Sequence, residues 1–519
     1  MTLRSFRLLT VLFMLALAGC GSLPANVRRP VSHSLPPTPD QSPIARLAAD
    51  QLPAGAQSGF RLLPLGSYAL DARLALIRHA SRTLDLQYYI WDNDESGRAI
   101  FSALKDAAER GVRVRLLLDD LNTASVEELL QALSRVPNLE IRVFNPFCCA
   151  RTSLPGRLAT SLGDLPRLDH RMHNKLLIAD GALAMIGGRN IADEYFARNP
   201  VANFIDLDAI AAGRVVPQLA MHFDRYWNSD ESFPVAYFSS SRDSGFDAGV
   251  LQKLLPPSAG RIEIELPEKD LLGLEPVSKE LQANHLTLVS GLAYAVADRP
   301  SKRLLPPAEL ESGSLMTGAV SQMLGARSEM VVTSPYLVPG KRGMGVLQSL
   351  QQKGVRMTLV TNSLPATDSA FVYFGYARYR PRILKTGVEV YEVSASTSQD
   401  NKPVFGGGSS RGRLHAKLAV IDEEVVLLGS LNLDPRSARR NTELGVAVDS
   451  PDLAKQALRI VEAMKAEAYR VRLESEGGAL EWIPPNEDDD QALNEEPGVS
   501  ALNALQRLLL NPLVPEDLL

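Results

Sequence analysis

His173-Asn-Lys175-Leu-Leu-Ile-Ala-Asp180, continued by Gly-Ala-Leu-Ala-Met-Ile-Gly187-Gly188-Arg-Asn190, has a second copy about 240 residues downstream: His415-Ala-Lys417-Leu-Ala-Val-Ile-Asp422, then Glu-Glu-Val-Val-Leu-Leu-Gly429-Ser430-Leu-Asn432. Both read H-x-K-x4-D-x6-G-[GS]-x-N. Each copy predicts a hairpin, with an apolar strand, a turn at Asp180-Gly181 or Asp422-Glu423, and an apolar return strand ending at glycine. Strand side chains alternate, so His and Lys, two residues apart, share a face. The Asn just past the return strand reaches the same end of the sheet. Asp180 and Asp422 complete the candidate catalytic set, but they lie an odd number of residues from Lys. That parity turns them away from the His and Lys and toward bracing the turn.

Two copies together offer two imidazoles, two ammonium groups and two amides, a set suited to a phosphodiester. One His attacks phosphorus and the other protonates the leaving oxygen. Lys175, Lys417, Asn190 and Asn432 hold the non-bridging oxygens as charge builds. This replaces the neutralisation that a metal provides in other phosphoryl-transfer sites. With three Cys and seven His in the chain, no zinc ligand set is legible, and neither metal nor cofactor is expected. A spacing of about 240 residues makes each half domain-sized, so a site needing one His from each half lies at their interface.

The duplicated H-x-K-x4-D resembles the signature of the phospholipase D superfamily, over nearly the whole chain from about Ser67 to Trp482. Further stretches resemble bacterial cardiolipin synthases of the C type, among them Leu86-Gln-Tyr-Tyr-Ile-Trp91, Asn145-Pro-Phe, Ser334-Pro-Tyr-Leu-Val-Pro339 and Asp434-Pro-Arg-Ser437. The resemblance implies an α/β fold: two phospholipase D-like α/β/α sandwich domains related by a pseudo-twofold, with the active site between them. It also implies phosphatidyl transfer through a phosphohistidine, with His173 as nucleophile and His415 as general acid and base; the sequence itself is symmetric between the two. A carboxylate behind each His is implied as well. Aligning the repeats after the Asn pairs Asp206-Leu-Asp-Ala-Ile210 with Glu443-Leu-Gly-Val-Ala447, which makes Asp206 and Glu443 the candidates to orient the imidazoles.

Residues 1–20 carry a basic start (Arg4, Arg7) and an apolar run too short to span a bilayer. They end in Leu17-Ala-Gly-Cys20, which resembles a lipobox, so Cys20 is the candidate lipidation site. A lipid anchor on the periplasmic side of the bacterial envelope, with the outer membrane favoured, is the expectation. Residues 21–50, rich in Pro and Ser, read as an extended tether. Domain 1 is expected over 51–245 and domain 2 over 246–484, with a variable insert near 229–304, and 485–519 as an acidic, amphipathic tail. Alternating strands and helices argue for a largely parallel sheet. Arg151, Arg157, Arg167 and Arg171 read as a solvated loop or as the flank of a phosphate path. The Tyr- and Arg-rich segment Ser369–Lys385 reads as a helix that lines a headgroup path or simply lies on the surface. Tyr88, Tyr89 and Trp91 read as core.

With Lys+Arg 55 against Asp+Glu 60, the chain lacks the basic surplus of proteins that track a nucleic-acid backbone. No nucleic-acid partner is expected. The expected partners are phospholipid substrates and the membrane, and the expected state is a monomer carrying both half-sites. The leading reading is a membrane-anchored phosphatidyltransferase that makes cardiolipin from phosphatidylglycerol and a second phospholipid. Hydrolytic phospholipase D is the nearest alternative, because the same residues serve water as acceptor; a nuclease ranks below it.

Overall fold

A computed structural model describes residues 23, 26–52, 54–238, 248–395, 411–474, 478–485, 487 and 489–499. The first half contributes strands β1 (Ser58–Leu63), β2 (Thr83–Tyr88), β3 (Arg113–Asp119), β4 (Leu139–Phe144), β5 (Leu176–Ala179), β6 (Leu183–Gly187), β7 (Ala202–Ile205), β8 (Asp208–Gly213) and β9 (Ser232–Pro234). The second contributes β10 (Val289–Ala297), β11 (Glu329–Thr333), β12 (Arg356–Asn362), β13 (Glu389–Val393), β14 (Arg411–Leu414), β15 (Leu418–Ile421), β16 (Val425–Gly429), β17 (Leu444–Asp449), β18 (Ala468–Leu473) and β19 (Leu480–Ile483). All but β7 and β14 join one sheet, in the spatial order β9-β4-β3-β2-β5-β6-β8-β1-β10-β17-β16-β15-β11-β12-β13-β18-β19.

Read outward from the β1–β10 seam, the order repeats in both directions, which is the pseudo-twofold written as strand order. β2, β3 and β4 are parallel, as are β11, β12 and β13. The remaining pairings of the sheet, the hairpins β5–β6 and β15–β16 among them, are antiparallel, so the sheet is mixed and not largely parallel as the alternation of strands and helices predicts.

The main helices of the first half are α1 (Pro43–Asp50), α2 (Gly66–His79), α3 (Glu95–Glu109), α4 (Glu127–Leu133) and α5 (Val215–Trp227). Those of the second are α6 (Leu315–Leu324), α7 (Gly340–Gln352), α8 (Ala370–Leu384) and α9 (Pro451–Lys465). One core lies between the first half's sheet and α2, α3 and α4. Another lies between the second half's sheet and α7 and α8. The third is shared: α5 and α9 pack on the opposite sheet face across the seam, where Phe223, Trp227, Ile460 and Met464 are buried. Each half is therefore an α/β/α sandwich, and the shared core fixes the halves to one another.

Three expectations about particular segments are corrected. The tether is folded over much of its length. Ser42 caps α1 by accepting from the Ala45 amide, and Ile44, Ala45, Leu47 and Ala48 are buried. The stretch before α1 straps the first half: Ser34 Oγ donates to Asp85 at 2.8 Å, and Arg115 donates to the Ser32 carbonyl at 3.0 Å. The variable insert contains β10, a central strand whose first part pairs with β1 and whose second part pairs with β17; it shows no clean alternation because side chains such as Val289, Tyr294 and Ala295 stay partly exposed.

The tail, as far as Val499, lies on the second half. Leu493 bridges Trp482, and Glu496 reaches Arg380 at 3.1 Å. The amphipathic run 501–510 and the leader with Cys20 lie outside the described residues. Finally, Tyr376 and Arg380 of α8 turn inward onto Glu392 and Trp482, and Tyr373 Oη accepts from Arg380, so that face lines no headgroup path.

Candidate functional site

Each hairpin is built as its sequence dictates. The turns put Asp180 (φ 51°) and Gly181 (φ 65°), or Asp422 (φ 53°) and Glu423 (φ 57°), in the left-handed region that tight two-residue turns require. Asp180 and Asp422 sit at the far ends of four-residue strands, roughly 17 Å along the chain from their lysines, and do not join the His and Lys cluster. The Asp180 carboxylate accepts from the amides of Ser81, Arg82 and Thr83 and from the hydroxyls of Ser81 and Ser42. Asp422 accepts from the amides of Arg327, Ser328 and Glu329. Each therefore ties its turn to the loop that starts a parallel strand. Asp180→Ala strands several buried donors and is expected to cost on the order of 3 kcal/mol of stability. Its kcat should stay within about threefold of wild type, because the carboxylate acts only on the fold. Urea unfolding paired with turnover at low temperature checks this, and Asp422→Ala should cost less because its loop is exposed.

The His and Lys ends of the two hairpins meet at the seam, where the halves are cross-braced. The His173 amide donates to the Thr442 carbonyl at 2.9 Å, and the His415 amide to the Ile205 carbonyl at 2.7 Å. β7 and β14 pair in parallel beside this contact. As a result the carboxylates are exchanged. His173 Nδ1 is 2.9 Å from Glu443 Oε2, and His415 Nδ1 is 2.6 Å from Asp206 Oδ2. Each half's imidazole is oriented by the other half's carboxylate, so neither half holds a complete site. With each Nδ1 occupied by a carboxylate, Nε2 is the nitrogen left for other chemistry.

Lys175 Nζ donates to the His173 carbonyl at 2.6 Å, and Lys417 Nζ to the His415 carbonyl at 2.5 Å, with His415 Nδ1 3.0 Å away. Both histidines, both lysines and both carboxylates are buried. Burial pushes His173 down to about 4 against the pull of Glu443. Burial also lowers His415, with Lys417 adding to it and Asp206 opposing. Lys417 falls to about 8, and Lys175 lies well below its usual value, both through burial. Asp206 and Glu443 are instead held below the ordinary carboxylate range, because the neighbouring His and Lys charges outweigh burial.

The amides are not equivalent. Asn190 is tied at both ends: its Oδ1 accepts from the Ile90 amide at 3.1 Å and its Nδ2 donates to Tyr195 Oη at 2.8 Å. Asn432 Oδ1 is buried and has no hydrogen-bond partner among the described residues. The G-[GS] step has a steric reason. A Cβ at Gly188 would lie 2.1 Å from Asp206 Oδ1, whereas at the equivalent place Ser430 fits and donates to Glu443. Gly188→Ala is expected to push Asp206 off His415 and slow turnover by about 10–100-fold, the range seen when an orienting partner is lost. Ser430→Gly removes the hydrogen bonds that Ser430 Oγ makes with Glu443 and the Leu444 amide but creates no clash, and should cost less; steady-state rates of the two variants decide it.

Aromatic residues that the motif does not contain complete the walls. Tyr89 stacks edge-on against His173 at 5.0 Å and stands 5.4 Å from Lys175 Nζ. Tyr195 and Phe204 hold His415 at 5.2 and 4.9 Å. Tyr88 and Trp91 belong to the core, so one residue of that aromatic cluster faces the site. Asp434, whose carboxyl burial pushes up to about 7, caps the turn after the second motif by accepting from the Ser437 amide. The arginines before the first motif face no phosphate path. Arg151 and Arg157 are buried against Asp120 and Glu127, and Arg171 against Asp119. Arg436 and Arg440 are drawn to Asp169.

The family model described as "Cardiolipin synthase, PLD-like domain" matches residues 74–227 and 320–465, one segment per half. The chain belongs to this family. It is 36% identical over 481 residues to cardiolipin synthase C of Escherichia coli, covering 88% of this chain and 96% of that one. It is 25% identical over 433 residues to a cardiolipin synthase of Geobacillus kaustophilus, covering 82% and 70%. The crystal structure of a phosphatidylserine synthase from Haemophilus influenzae shares the fold, with a TM-score of 0.57 at 14% identity over 92% of this chain and all of that one. The two halves are thus phospholipase D-like domains. Among the described residues no helix is long and apolar enough to cross a membrane, and no group of three or more His, Cys, Asp or Glu is placed to hold a metal ion.

Proposed function

We propose that this phosphatidyltransferase of the phospholipase D superfamily makes cardiolipin from phosphatidylglycerol and a second phospholipid. In the first step His173 Nε2 bonds to phosphorus as the P–O bond to the donor's headgroup breaks. That oxygen leaves with the electron pair and takes a proton from His415. In the second step the primary hydroxyl of phosphatidylglycerol attacks phosphorus, gives its proton back to His415, and the P–N bond breaks to restore His173. Lys175, Lys417 and Asn432 hold the non-bridging oxygens throughout. The observation that carries this reading is the exchange of carboxylates, which gives one buried site two oriented imidazoles.

Transfer rather than hydrolysis is supported by the burial of both histidines, 6% and 5% exposed, since a covered site favours a bound alcohol over bulk water. The chain acts as a monomer on this reading, since both half-sites are present in it. A diacylated anchor at Cys20 holds it to the membrane on the periplasmic side; two acyl chains anchor stably where one binds marginally. Cys20→Ser is expected to move the protein from the membrane pellet to the supernatant. The full chain in vesicles of labelled phosphatidylglycerol and phosphatidylethanolamine should yield labelled cardiolipin; phosphatidic acid as the sole lipid product would overturn the transferase reading.

A further inference from the structure

The two halves differ in how they fill one face of the sheet. His415, Lys417 and Ala419 alternate onto the face covered by α6, so a cavity there lies along the face that carries the second motif's own lysine. Such a cavity of about 90 Å³ exists. At ~10–15 Å³ per water it has room for roughly six to nine waters, about the bulk of as many methylene groups. Its lining runs from Lys417 and Leu433 past Ala419 and Ala447 to Tyr294, under Ala319 of α6.

The register shows why the space is there. Val332 pairs with Ala419, Leu427 with Ala447, and Gly429 with Gly445. The same places in the first half are Leu86 with Leu177, Met185 with Ile210, and Gly187 with Asp208. Three larger side chains, Leu177, Ile210 and Asp208, are thus replaced by Ala419, Ala447 and Gly445. In the first half α2 also sends Arg73 down to Asp208 at 3.0 Å, and the face is solid. The covering helix α6, Leu-Met-Thr-Gly-Ala-Val-Ser-Gln-Met-Leu, carries no charge. At the rim Gln322 donates to Tyr294 Oη at 2.6 Å, beside Leu292, which is 54% exposed.

We infer that this cavity takes the first methylenes of one acyl chain of the phospholipid whose phosphate lies against Lys417. The inference rests on the phosphatidyl-transfer reading above. An apolar cavity stays dry and gains from an apolar occupant, and its continuity with Lys417 matches the way a phospholipid joins its chains to its phosphate. Tyr294 and Leu292 mark where the rest of the chain passes back toward the bilayer.

Ala419→Leu with Ala447→Ile copies the first half's residues and fills the cavity. In wild type, kcat/KM for a chain-length series of phosphatidylglycerols should rise by about fourfold per methylene, then level off near the cavity's capacity. The double variant should lose that slope, falling at least 100-fold on dioleoyl substrate while staying within twofold on the diacetyl one, whose chains are too short to enter the cavity. Equal slopes in the two proteins would overturn the inference. Independently of turnover, phosphatidylglycerol with a diazirine on an early acyl carbon should label Leu315–Leu324 of the wild-type chain, and the filled variant should lose that label. Labelling elsewhere would overturn it too. A wild-type chain that takes the label but transfers nothing would sink the transferase reading and leave the acyl site standing. Ala447→Val alone serves if the double variant loses its cooperative unfolding.

Discussion

His173→Asn and His415→Asn are each expected to lower kcat/KM for phosphatidyl transfer by about 10⁴-fold or more, since one loses the nucleophile and the other the acid that expels an alkoxide. A donor with a p-nitrophenol headgroup separates the two roles, because that leaving group departs without a proton. On it, His415→Asn should release one equivalent of p-nitrophenol and then stall, with a phosphatidyl mass added at His173. His173→Asn should release none. An adduct on His415 in the His173 variant would reverse the assignment. The exchange of carboxylates adds a sharper expectation. Glu443→Gln should slow formation of the His173 adduct, and Asp206→Asn should leave that step on the p-nitrophenyl donor comparatively intact. This is the opposite of what each motif paired with its own half's carboxylate would give.

The parts of the site that are local in sequence were legible from it. Alternation places His and Lys on one face, and the odd interval to Asp predicts a carboxylate turned toward the hairpin turn, where Asp180 gathers three successive backbone amides. The position of Asp206 and Glu443 behind the histidines followed from aligning the repeats. Which carboxylate serves which imidazole did not, because it is decided by the His173–Thr442 and His415–Ile205 contacts between segments more than 200 residues apart. Tyr89 was hidden for a related reason: it follows β2 directly, and its neighbours Tyr88 and Trp91 are core. β10 was missed because its side chains are small or half-exposed and give no clean period of two. The Pro-rich segment before α1 was misread because composition reports that it cannot form its own core, and says nothing of whether it can hydrogen-bond along a core that already exists, as Ser32 and Ser34 do.

The arginine-rich run before the first motif illustrates the same limit and carries the largest expected effect on stability. Charge density suggested solvent or phosphate, yet the arginines answer carboxylates that β3 and α4 bury. Asp120 accepts from both terminal nitrogens of Arg151 at 2.9 and 2.7 Å, from the Phe147 amide at 2.7 Å and from Thr123 Oγ1 at 2.7 Å. Glu127 takes the other edge of Arg151 at 2.8 Å, and Arg157 closes the group. Asp120→Ala leaves two buried guanidiniums sharing one carboxylate and is expected to cost about 3–5 kcal/mol, read as a fall in the urea midpoint. Removing charge from both sides, as in Asp120→Leu with Arg151→Met, should recover most of that loss, since the pair itself contributes little beyond its desolvation. Burial works to raise the Asp120 carboxyl, and the Arg151 and Arg157 charges overcome it, leaving it below the ordinary carboxylate value. A folded value below the unfolded one means that its stabilisation is complete above pH ~4 and lost as pH falls through the folded value. The stability gap between wild type and Asp120→Asn should therefore be flat from neutrality down to about pH 4 and narrow below it; a gap that ignores pH would mean the carboxyl titrates alike in the folded and unfolded chain.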